Sequence, residues 1–234
     1  MLSTQITNFF SMSSFLSAFG SWSCLWMILT LVLMEGILSC DNAIVLAVLV
    51  RHLPAEQHKK ALTYGMIGAY AFRVVAILIG TYLIKFWQLK MLGGIYLLYL
   101  TLKHFLGDED AEIKDGVKGF WLTILTVEAM DIVFSLDSIL AALGISSNPW
   151  VLLIGGCLGI LMMRLAAVLF IKLLNNFPEL NHTAYVLIAM IGAKLLLSCI
   201  GSEVPDALFI PALLSVFGGT MLCSYVRQRM LVSI

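Results

Sequence analysis

Long apolar blocks follow one another through this chain, with only short polar breaks between them. A helix needs about 20 mostly apolar residues to cross a bilayer. Blocks of that kind are expected as helices over about 22–50, 61–86, 89–106, 119–145, 149–174, 183–200 and 206–228. The breaks fall on polar, Pro or Gly clusters: Arg51–Lys60, Lys85–Lys90, Asp108–Asp115, Asn148-Pro149, Asn175–Asn181 and Gly201–Pro205. Seven crossings use up the 234 residues and leave no room for a soluble domain. Charged residues make up 12% of the chain, against about 25% in a soluble domain. The net charge is zero, so no global field draws nucleic acid. The expectation is an all-α integral membrane protein, a single transmembrane domain over 1–234. Residues 9–20 read as an interfacial or poorly ordered lead-in, and the first 20 lack the Lys or Arg that opens a secretory signal. Cys24, Cys40, Cys157, Cys199 and Cys223 lie in apolar surroundings with no CxxC pair, as small packing residues do.

Basic residues set orientation, because short loops rich in Lys and Arg stay in the cytoplasm. The 1–2, 3–4 and 5–6 loops and the C-terminal end carry Arg51, Lys59, Lys60, Lys114, Lys118, Lys172, Arg227 and Arg229. The other side carries Lys85 and Lys90. The N-terminus is therefore expected outside and the C-terminus inside. The run GDEDAEIKDG (107–116) is the one strongly charged loop and reads as a solvated connector between two halves.

Those halves are related. MEGILSCDN (34–42) aligns with MDIVFSLDS (130–138) at an offset of 96 residues. Met34 meets Met130, Glu35 meets Asp131, Ser39 meets Ser135, Asp41 meets Asp137, and Asn42 meets Ser138. Further on, Arg73 meets Arg164 and Lys103 meets Lys194, both at an offset of 91. Repeat 1 covers about 22–106, the charged loop 107–118, repeat 2 about 119–200, and an extra helix about 206–228. Three crossings per copy is an odd number, so the second copy enters from the opposite face. Inverted repeats of this kind place a substrate site near the midplane, where the copies meet.

Five acids sit within the apolar blocks: Glu35 and Asp41 in the first, Glu128, Asp131 and Asp137 in the fourth. A charge at the bilayer centre costs about 2.5–3.5 kcal/mol on insertion scales. One explanation is that some acids form structural ion pairs with Arg73, Arg164 and Lys194. The other is that a bound cation offsets repulsion among the acids. Glu128 and Asp131, three apart, share a helix face. Glu35 and Asp41 are six apart, as are Asp131 and Asp137, which puts their side chains about 120° apart around a straight helix. Both reach one site only if the helix is locally unwound or the ion sits between helices. Gly36 and Ser39 favour such an irregularity in the first block. Asn42 and Ser138 offer neutral oxygens, and oxygen donors suit Mg, Ca and Mn. His52, His58, His104 and His182 lie at or near helix ends, away from the acids. Cys40 is matched by Leu136, which disfavours a thiolate site. Arg73 and Arg164 are placed to compensate the acids when the cation is absent, with Lys194 deep in the sixth block and Lys103 near enough to an end to snorkel.

MEGILSCDNAIVLAVLV (34–50) together with VEAMDIVFSLDSILAAL (127–143) resembles the TerC family of integral membrane proteins, over roughly 25–230. The family is named for tellurium resistance and belongs to the lysine-exporter superfamily. The resemblance implies manganese export across the bacterial cytoplasmic membrane, supplying metal to exported enzymes. It implies ligands Glu35, Asp41, Asp131 and Asp137, with Asn42, Glu128 and Ser138 behind them. Glu128 departs from strict symmetry, since its matching place holds Val32. The soluble C-terminal domains of some relatives are expected to be absent, and with them regulation through such domains. No permanent cofactor is expected; Mn²⁺, or another hard divalent cation, is cargo. Tellurite is an oxyanion, which carboxylates repel, so any tellurium link is indirect.

Two rivals come from other classes. A non-transporting assembly factor for secreted metalloenzymes leaves the buried acids unexplained. An intramembrane aspartic protease built on Asp41 and Asp137 lacks the usual GxGD signature and leaves the repeat unexplained. The chain is therefore expected not to be an enzyme. Exchange of the metal for protons is a further expectation, because crowded acids that lose a cation need another positive charge.

Overall fold

The computed structural model describes residues 11–83, 87–107, 116–177, 179–202 and 204–232. Residues 108–115 of the charged loop and Lys85 lie outside them. The described residues form helices α1 (Met12–Gly20), α2 (Trp22–Leu38), α3 (Cys40–Arg51), α4 (Ala55–Leu83), α5 (Trp87–Phe105), α6 (Gly116–Ile145), α7 (Pro149–Asn176), α8 (Leu180–Cys199) and α9 (Asp206–Val232). Among the described residues, α7, α8 and long stretches of α4 and α9 are apolar and long enough to cross a membrane, and the bent pair α2–α3 makes a fifth candidate. Large apolar side chains such as Leu92, Leu125 and Leu165 point outward, as they do toward lipid. The protein is a multi-pass integral membrane protein.

The expected helix boundaries shift in three places. Residues 12–20 are helical, and Phe15 packs edge-on against Trp150, with centroids 5.1 Å apart. Helix α4 starts at Ala55, so its charged first turns continue the apolar span. Helix α6 starts at Gly116, within the stretch expected as loop.

The first block is not one helix. It breaks at Ser39 and turns by 56° into α3. Oδ1 of Asp41 accepts the N–H of Asn42 at 2.9 Å, a local bond of the kind by which Asp competes with helical pairing. The matching segment of α6 stays continuous: Ser138 donates to the Ser135 carbonyl at 3.2 Å, a back-bond compatible with a helix. Beyond the break, Asp41 to Val50 are buried on every side, making α3 the centre of the bundle.

Packing is symmetric under exchange of the matched elements. Helix α2 packs on α7, α6 packs on α4, α4 meets α7, and α5 meets α8. The α5–α8 crossing brings backbones together: a Cβ at Gly94 would sit 3.0 Å from the Gly192 carbonyl oxygen, and one at Gly192 would sit 3.1 Å from that of Gly94. Only small residues allow helices to approach so closely.

A candidate cation site between the matched motifs

Each copy of the motif sends an acid to an arginine. Arg73 NH2 donates to Glu35 Oε2 at 2.7 Å, with both side chains buried. Arg164 NH2 donates to Asp131 Oδ2 in the same way, again between buried groups. Two of the three bases expected to compensate, Arg73 and Arg164, are thus paired with one matched pair of acids, Glu35 and Asp131. Arg73 also reaches across the halves, through a long contact from NH1 to Ser138 Oγ at 3.4 Å. The second pair is less complete. Asp131 Oδ1 and Arg164 Nε and NH1 are buried without hydrogen-bond partners among the described residues.

Between the pairs lies a cavity of about 10 Å³, on the order of one water molecule or one bare cation. Glu35, Ser39 and Asn42 line it from the first copy, Asp131 and Ser135 from the second. Ala69 and Ile160, also matched at the 91-residue offset, close it with Phe134 and Met163. Two acidic residues, two serines and an asparagine therefore border one space. Among the described residues, no three His, Cys, Asp or Glu side chains stand ready to hold a metal ion. A cation here would draw the rest of its shell from hydroxyl, amide, carbonyl and water oxygens, the donors hard cations accept.

The other expected residues have different places. Asp41 is buried but does not line the cavity. Asp137 is not buried: its side chain is 61% exposed and accepts from Lys90, a base assigned above only to orientation. A continuous α6 carries Asp137 around the axis from Asp131, as six-residue spacing requires. Lys194 pairs with Asp206 at 2.5 Å, and its Nζ lies 4.4 Å from the Phe209 ring centroid. Glu128 lies along α4, where a Cβ at Gly68 would overlap its carboxylate.

One signal in the sequence was missed. Gly65-x₂-Gly68-x₄-Arg73 recurs as Gly156-x₂-Gly159-x₄-Arg164, at the offset of 91. The glycines make seats. A Cβ at Gly156 would fall within the Arg73 guanidinium, and one at Gly159 within the Glu35 side chain. Helices α4 and α7 thus carry, besides the arginines, the notches that receive the charges of the opposite copy.

The family model described as "Integral membrane protein TerC family" matches residues 20–231. The chain is 48% identical over 210 residues to the "Uncharacterized membrane protein YceF" of Bacillus subtilis, covering 86% of this chain and 82% of that one. It is 40% identical over 211 residues to the "Uncharacterized membrane protein YkoY" of the same organism, covering 81% of this chain and 65% of that one. It is 28% identical over 206 residues to the "Thylakoid membrane protein TERC, chloroplastic" of Arabidopsis thaliana, covering 74% of this chain and 54% of that one. No solved structure matches the chain.

Proposed function

The chain belongs to the TerC family of integral membrane proteins, and on that premise we propose that it carries a hard divalent cation, Mn²⁺ first, out across the bacterial cytoplasmic membrane. One observation carries this reading: a cavity of ion size lined by Glu35, Ser39 and Asn42 from one motif copy and by Asp131 and Ser135 from its match. The polar residues of that lining carry oxygen donors, which favour Mn²⁺, Mg²⁺ or Ca²⁺ over softer metals. The arginine pairs supply the compensating charge of an empty site, and incoming metal competes with them for Glu35 and Asp131. The exchange-symmetric packing supports two inverted three-helix repeats plus α9, seven crossings in all. The basic-residue asymmetry supports an outside N-terminus and a cytoplasmic C-terminus, so a cysteine in the 107–116 loop should resist an impermeant reagent in intact cells. Exported metalloenzymes and the secretion machinery are the proposed beneficiaries.

Mn²⁺ uptake into inside-out membrane vesicles tests the proposal. Uptake above that of vesicles lacking the protein, driven by an imposed proton gradient, supports metal–proton exchange. Uptake that follows voltage alone makes the protein a uniporter. No uptake at all ends the transport reading.

A further inference from the structure

The second acid–arginine pair stands beside a third charge that the first pair lacks. Glu128 lies one helical turn before Asp131 on α6, and the matching place in the other copy is Val32. Its Oε1 is buried without a hydrogen-bond partner among the described residues. Arg164, 4% exposed, has two nitrogens in the same condition, Nε and NH1. Both residues border the same gap: a Cβ at Gly65 would sit 3.2 Å from Glu128 Oε1 and 3.3 Å from Arg164 NH2. With glycine there, nothing from that side chain stands between them. The nitrogen facing Glu128 across the gap is NH2, the one that donates to Asp131, and Glu128 Oε1 is a buried acceptor left open, which is costly. A fork of donors such as guanidinium can satisfy two carboxylates in turn.

Resting on the cation reading above, we propose that Arg164 changes partner as the cation passes. It leaves Asp131 and takes Glu128 across the space kept open by Gly65, so that Asp131 becomes free to meet the metal. Glu128 is then a positioning residue, the acceptor for a displaced guanidinium, and only the second half of the molecule has this relay. In the first half, Arg73 stays between Glu35 and Ser138, and Val32 offers no alternative.

The relay is testable without any metal, by thermal unfolding of the purified full chain. Asp131→Asn and Glu128→Gln should each lower Tm by only a few degrees, because Arg164 keeps one carboxylate in either variant. The double variant strands the buried guanidinium and should fall by about 10 °C more than the two single shifts combined. Loss of insertion in the double variant alone counts as the same synergy. Additive shifts, or failure of Asp131→Asn by itself to insert, overturn the relay. Mn²⁺ titration followed by electron paramagnetic resonance then ties the relay to the cargo. Glu128→Gln should weaken binding about tenfold, and have no further effect once Arg164→Gln has removed the group that must be relocated. An equal loss in both backgrounds makes Glu128 a direct ligand and ends the proposal. Synergy in unfolding with no Mn²⁺ bound by the unmodified protein keeps the partner exchange and removes the cargo reading.

Discussion

The Glu35–Arg73 half and the Asp131–Arg164 half begin from one motif and end as different devices. In the first, the helix breaks at Ser39, α3 runs buried through the core, and Arg73 holds both Glu35 and Ser138. In the second, α6 runs on unbroken, Asp137 turns outward to Lys90, and Arg164 keeps two nitrogens without partners among the described residues, beside a spare acid. The difference teaches that matching positions need not share work. One copy pairs its charges on the cavity closely, and the other leaves the open charges on which the proposed relay rests.

Stability should separate the halves most sharply. Glu35→Gln leaves Arg73 without an ion-pair partner among the described residues, and removing one member of a buried ion pair costs about 3–5 kcal/mol. Asp131→Asn leaves Arg164 within reach of Glu128, so its loss should be well under that. Denaturant unfolding in detergent measures both; equal losses would erase the distinction. Next come the glycine seats. Gly156→Ala forces a methyl into the Arg73 guanidinium, and overpacking of this kind costs about 1–3 kcal/mol. Gly65→Ala meets its neighbours at 3.2–3.3 Å and should cost less. The same unfolding assay ranks them, and the reverse order would place the tighter seat in the wrong half. The smallest effect belongs to Asp137→Asn. An exposed pair contributes about 0–1 kcal/mol, so stability should barely change and Mn²⁺ uptake should persist, whereas Asp41→Asn, at a buried acid in the core, should reduce uptake strongly. Abolished uptake in Asp137→Asn would return that residue to the ion path.

Much of this was legible in the residues themselves. Acids inside apolar blocks and a constant offset pointed to Glu35, Asp131, Arg73 and Arg164, and the structure pairs these four. The two Asp residues six positions further on were harder. Type and spacing give an angle around a straight helix, but not whether the helix stays straight. It breaks before Asp41 and does not before Asp137, so one is buried and the other exposed. Lys90 and Asp206 were hidden for another reason. Both sit near helix starts, where charge is expected, and only the packing shows that they reach Asp137 and Lys194. The Gly-x₂-Gly-x₄-Arg repeat was visible, but glycines in apolar helices read as packing until the charges seated on them are known.

The central claim is one ion between two copies, and metal stoichiometry tests it most directly. Mn²⁺ binding to the purified full chain should reach one ion per chain. Asn42→Ala removes a lining oxygen of the first copy, and Asp131→Asn removes a charge of the second. Either substitution alone should remove or greatly weaken that single site while the protein remains folded. Two ions per chain, or binding left intact by one of the two substitutions, would show that the matched motifs do not share a site.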